Sequence, residues 1–127
     1  MEVSKTDTEC QALLIITSLP DEASAQTLAT TLVAERLAAC VSMLAPCRST
    51  YHWEGAIESA AEVPLLIKTT AGRYAALEEA IRARHPYELP EIIAVPVAHG
   101  LPEYLAWVVN ETRAETHVEH STGDSSK

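Results

Sequence analysis

An imidazole, a phenol and two carboxylates crowd into residues 85–91, His85-Pro86-Tyr87-Glu88-Leu89-Pro90-Glu91. Groups of these types can ligate a metal, move a proton or line a polar pocket. Each proline fixes its own φ and pushes the residue before it out of the helical region, so His85 and Leu89 are biased toward extended backbone. The stretch reads as a stiff arm that displays its side chains along a set path. Two readings of His85 stand side by side. It is a metal ligand, with Cys40, Glu91 or a histidine of another subunit completing the shell, or it is a helix-terminal histidine that hydrogen-bonds a carbonyl.

The other candidates are scattered. Cys40 sits in an apolar run and is either a metal ligand or a small buried hydrophobe. Cys47 follows Pro46 near a bend, and Cys10 lies near the N-terminus. Lys68 stands between Ile67 and Thr69 in an apolar stretch. A lysine there needs a carboxylate or a water-filled cleft, with Glu54, Glu88 and Glu91 as available partners. It reads as a structural ion pair or as an anion-binding group in a cleft between subunits. Tyr51, Trp53 and Tyr87 either line such a cleft or pack an interface. His117 and His120 could chelate a cation weakly if that tail were helical. Only four glycines occur, none in a phosphate-binding loop, and no nucleophile–base pair is recognisable. An enzyme using His85 or Glu91 as general base is the weakest reading, and the chain is read as a non-enzyme.

These groups must be positioned by the elements around them. Leu13-Leu14-Ile15-Ile16-Thr17 is a β-branched apolar run, the pattern of a buried strand. Pro20-Asp21-Glu22 opens a helix, and Ala25, Leu28, Ala29, Leu32 and Val33 recur at helical spacing on one stripe. Ala39–Leu44 is a second strand, interrupted at Pro46 and resumed over Arg48–Glu54. Gly55-Ala56 predicts a hairpin turn into a long return strand, Ile57–Thr69. Strands usually run about 5–6 residues, so this hairpin must overhang its own domain. A second helix carries Tyr74, Leu77 and Ile81 and stops before Pro86. After the arm comes a strand, Ile92–Val97, which Pro96 demotes toward an edge or a bulge. Gly100-Leu101-Pro102 starts a last helix with Leu101, Leu105, Val108 and Val109 inward. The order β-α-β-β-α-β-α is an α+β, ferredoxin-like split βαβ plan (βαββαβ) with an additional C-terminal helix. Both main helices fall on one sheet face, which leaves the other bare and apolar. Bare face and overhanging hairpin together predict self-association.

The bulk properties narrow the field. The chain has 127 residues, 47% of them apolar, enough for one domain with one core. Residues 11–113 form that domain, between an N-terminal lead, 1–10, and a C-terminal tail, 114–127, both expected to be disordered. A formal charge of −9 opposes binding to nucleic acid or to an anionic membrane and suits a cation. An odd number of cysteines without C-x-x-C spacing argues against a disulfide framework and for a reducing compartment. The first apolar run is too short to span a membrane and poorly flanked for a signal peptide, so the chain is read as cytoplasmic.

Six segments together resemble one family, the CutA-like divalent-cation tolerance proteins. They are Pro20-Asp21-Glu22-Ala23, Leu37-Ala38-Ala39-Cys40-Val41, Tyr51-His52-Trp53-Glu54-Gly55, Leu66-Ile67-Lys68-Thr69-Thr70, His85-Pro86-Tyr87 with Pro90-Glu91, and Tyr104-Leu105-Ala106-Trp107. They span about residues 12–113 in order. The resemblance implies a cytoplasmic homotrimer in which strands of different subunits pair. It implies a role in divalent-cation tolerance, with a divalent cation, Cu2+ or Zn2+, as the ligand. The family's copper ligands fall on Thr17, Arg84 and His85 here, and of these only His85 suits copper. The resemblance also suggests an alternative, a P-II-like signalling trimer that binds a small metabolite or anion in a cleft built from Tyr51, Trp53, Glu54, Lys68, His85, Tyr87 and Glu91.

Overall fold

A computed structural model describes residues 8–114 of the chain. Residues 1–7 and 115–127, which hold most of the expected lead and tail together with His117 and His120, lie outside the described residues.

The elements are β1 (Ala12–Leu19), α1 (Glu22–Ala34), β2 (Cys40–Met43), β3 (Cys47–Trp53), β4 (Ala56–Thr70), α2 (Ala71–Arg84), β5 (Ile93–Pro96) and α3 (Pro102–Glu111). The sheet order is β2-β4-β1-β5, with β3 paired to the outer part of β4 and every pairing antiparallel. The fold is α+β, with an antiparallel sheet and three helices in the order of the split βαβ plan. β5 lies at the sheet edge, where Pro96 costs no ladder hydrogen bond, as its sequence predicts.

β4 organises the sheet. Its first half, residues 56–62, pairs with β3, and its second half, 63–70, pairs with β1. β2 joins over Leu65 to Lys68. Pro64 stands where the two halves meet, and Leu44 N–H donates to its carbonyl. In a strand the N–H of a residue points the same way as its C=O. The donor that proline lacks therefore falls at the break between β2 and β3, where it has little to meet. The hairpin turn is Glu54-Gly55, one residue earlier than the sequence pattern suggests. Trp53 pairs with Ala56, and both turn residues have positive φ, +52° and +85°. That is the two-residue turn whose twist suits a hairpin, and Gly55 takes the harder position.

Asp21 starts α1 by accepting Ser24 N–H at 2.8 Å. This bond holds its carboxyl below the ordinary aspartate range. One sheet face and two helices form the core. Ile15, Leu19, Val63, Leu65 and Ile67 from the sheet meet Ala25, Leu28 and Leu32 of α1 and Leu77 and Ile81 of α2. Val33, assigned above to the apolar stripe, is 43% exposed, because it lies beyond the arc that reaches the sheet.

The second sheet face carries Leu14, Ile16, Leu66, Lys68, Cys40 and Ser42. It is not bare from end to end. α3 packs across β4 and β1, with Tyr104 beside Cys40. Val108 is buried outside the main core. Leu101, expected inward, is 67% exposed, since it precedes the first turn rather than joining the packed stripe. Beyond α3 the face stays open. Ile93 and Val95 are exposed beside their cross-strand partners Ile16 and Leu14.

Thr17 is fully buried under the helices, and its hydroxyl has no hydrogen-bond partner. A buried unpaired hydroxyl costs about 1–3 kcal/mol. Thr17→Val keeps the shape and removes the hydroxyl. It is expected to raise unfolding stability by about 1 kcal/mol, read as a higher urea midpoint at unchanged slope. A lower midpoint would show that the hydroxyl is satisfied in solution.

Candidate functional site

Pro86 ends α2 and holds His85 in extended geometry, φ −83° and ψ 136°. From there the His85 ring turns back under the arm. Its Nε2 lies 2.7 Å from the Ser18 carbonyl, and Tyr87 N–H donates to Nδ1 at 3.2 Å. A backbone N–H can only donate, so Nδ1 is the acceptor and the proton sits on Nε2, which donates to Ser18. The imidazole is neutral and both nitrogens are in use. Its ring also stacks at 4.8 Å and 51° on Tyr87. Burial pushes its pKa down, while the Ser18 bond and nearby Glu62 oppose the shift. Of the two sequence readings, the geometry matches the histidine that hydrogen-bonds a carbonyl. In this state neither nitrogen offers a lone pair to a metal.

The latch sets the arm against the hairpin and leaves a groove of about 560 Å³ between them. Tyr51, Trp53, Glu58 and Glu62 line it from the hairpin, and Tyr87, Glu88 and Glu91 from the arm. Burial, then the nearby Glu62 carboxylate, pushes the Tyr87 phenol pKa up. Glu58 and Glu62 are the groove residues that the sequence reading does not single out. Their signal is present in the alternation of β4. Glu58 pairs with Tyr51 and Glu62 with Cys47, so both share the aromatic side of the hairpin. Local sequence does not say that the arm would face that side.

The structure thus brings Tyr51, Trp53, Tyr87 and Glu91 together beside the His85 latch. It does not bring Glu54, Lys68 or Cys40 there. Glu54 is a turn residue at the hairpin tip. Lys68 lies six residues beyond Glu62 on β4, roughly 20 Å along the strand. Lys68 meets no carboxylate among the described residues; its ammonium donates to Ser42 Oγ at 2.8 Å and approaches Cys40 Sγ at 3.8 Å. The cleft drawn from sequence around Lys68 and His85 together does not form within one chain. Arg84 turns away to Glu35 at 3.6 Å, and Thr17 lies beneath the helices. Among the described residues, no three His, Cys, Asp or Glu side chains converge to hold a metal ion.

Lowered pKa and occupied Nδ1 give a signed expectation. The folded chain favours neutral His85, so this stability is fully present above the unfolded value of about 6.5 and is lost as pH falls below it. Urea midpoints measured at descending pH are expected to drop from that point. His85→Gln is expected to flatten that drop and to cost about 1–3 kcal/mol at pH 7.5. An identical pH slope in the variant would free the drop from His85.

The chain matches the model of the CutA1 divalent ion tolerance protein family over residues 13–111. It is 43% identical over 98 residues to the divalent-cation tolerance protein CutA of Citrobacter koseri, covering 77% of this chain and 85% of that protein. The crystal structure of CutA from Xylella fastidiosa is similar at a TM-score of 0.78 and 49% identity, over 80% of this chain and 98% of that one. A structure from Archaeoglobus fulgidus, described as a periplasmic divalent cation tolerance protein, gives a TM-score of 0.78 at 33% identity, over 80% and 99%.

Proposed function

This chain belongs to the CutA1 divalent ion tolerance family, and from that premise we propose that it is a homotrimeric divalent-cation tolerance protein that meets cations at the groove between hairpin and arm. The carrying observation is the groove's lining: Glu58, Glu62, Glu88 and Glu91 face it, with no lysine or arginine among its residues. Carboxylate oxygens attract divalent cations, and the His52 imidazole lines the groove with them, while His85 beside it is engaged in its latch. A cation would reach His85 only by displacing Tyr87 N–H from Nδ1. Among the described residues no ligand set is preformed, so we assign its completion to a second copy. Cu2+ and Zn2+ are the cations to test. The role is one of binding rather than catalysis.

Two features support the trimer: the open apolar edge around Ile93 and Val95, and a hairpin that outruns its own sheet. Free Cys10, Cys40 and Cys47 support a cytoplasmic setting. Among the described residues no helix is long and apolar enough to cross a membrane. The P-II-like alternative is not favoured, because the Citrobacter koseri and Archaeoglobus fulgidus relatives carry divalent-cation names and Lys68 stands apart from the groove.

Light scattering at micromolar concentration is expected to give the mass of about three chains, and the pair Ile93→Glu with Val95→Glu to shift it toward one. A wild-type monomer would remove the assembly. Calorimetric titration with Cu2+ or Zn2+ tests the groove. Glu58→Gln with Glu62→Gln is expected to weaken binding about tenfold or more, and His85→Ala to leave it within about twofold while lowering stability. The reverse pattern would make His85 the ligand.

A further inference from the structure

Lys68 poses a separate problem at the other end of β4. It is half-buried on the second sheet face, opposite Leu14 on β1 and Cys40 on β2. A cation partly removed from water calls for a counter-charge. The chain has 18 acidic residues, yet none pairs with Lys68 among the described residues. Its partners are neutral: Ser42 Oγ at 2.8 Å and Cys40 Sγ at 3.8 Å. Tyr104, 40% exposed, stands beside them.

The donor count points outward. An ammonium has three N–H bonds, and two are directed at Ser42 and Cys40. Ser42 accepts from Lys68, so its own O–H remains free to donate. A charged N–H and a neutral O–H thus stand side by side, with heavy atoms 2.8 Å apart. That spacing fits two oxygens of one carboxylate or phosphate. A metal cation is repelled by the same ammonium.

We propose that Lys68 and Ser42 form a binding site for a small oxyanion, a phosphate or carboxylate group, on the sheet face away from α1 and α2. One oxygen takes the Lys68 ammonium and a second takes the Ser42 hydroxyl, with the Tyr104 ring as a wall. The site stands independently of the acidic groove and of any cation bound there.

Proton–nitrogen correlation spectra of the full chain, titrated with sodium phosphate and then sodium acetate at constant ionic strength, test it. Saturable shifts are expected at the amides of Cys40 to Met43, Lys68 and Tyr104, and sodium chloride is expected not to reproduce them. Lys68→Met is expected to weaken phosphate binding at least about tenfold and Ser42→Ala about threefold, while Lys68→Arg retains most of it. Should Lys68→Met fail to fold, Ser42→Ala and Lys68→Arg carry the comparison. Shifts that grow linearly and equally with chloride would overturn the site. So would a Lys68→Met chain that loses self-association but keeps its phosphate affinity, because the counter-charge would then be a carboxylate of a second copy.

Discussion

The His85 ring joins three stretches of backbone that are distant in sequence. It sits at the end of α2, donates to the carbonyl of Ser18 at the end of β1, and accepts the amide of Tyr87 on the arm. Because Pro86 removes the next N–H and keeps His85 extended, the chain cannot continue as helix and must leave along the path the ring permits. That path puts Tyr87 against Glu62 and sets one wall of the groove. It also delivers the chain to β5, which closes the sheet against β1. A neutral imidazole donates at one ring nitrogen and accepts at the other within a short, rigid span. Glutamine offers both functions but not the ring that stacks on Tyr87.

Much of this fold was legible in the sequence. Leu28, Leu32, Leu77 and Ile81 fall on helical periods and form the core, and Pro96 correctly reads as an edge residue. The long return strand is visible as an apolar half joined to a polar half, and the break at Pro46 shows where its partner changes. Errors arose where periodicity was extended past the packed surface, as at Val33 and Leu101. The turn falls one residue earlier than its glycine indicates, because Glu54 also adopts a positive φ.

The candidate site was less legible because its parts meet through tertiary pairing. The arm announces itself through two prolines, but nothing local reveals that Glu62, a polar residue on the overhanging strand, faces Tyr87. Lys68 is the converse case. Sequence identifies it as a lysine needing a partner and suggests glutamates, yet β2 supplies a serine and a cysteine instead. Both results follow from the register of β4. Residues of one parity share a face, so Glu58 and Glu62 line the groove at one end while Lys68 lies on that same face at the other. A strand of this length holds Glu58 and Glu62 at one end and Lys68 at the other, too far apart to pair.

The account rests on the bonding state of His85, and nitrogen spectra of its ring read that state directly. Long-range proton–nitrogen correlations at pH 7.5 distinguish a protonated from an unprotonated ring nitrogen. A neutral ring with its proton on Nε2, unchanged by substoichiometric Zn2+, is the result expected of a latch. A proton on Nδ1, or an Nδ1 signal that moves with the first addition of Zn2+, would contradict it and return His85 to the role of ligand.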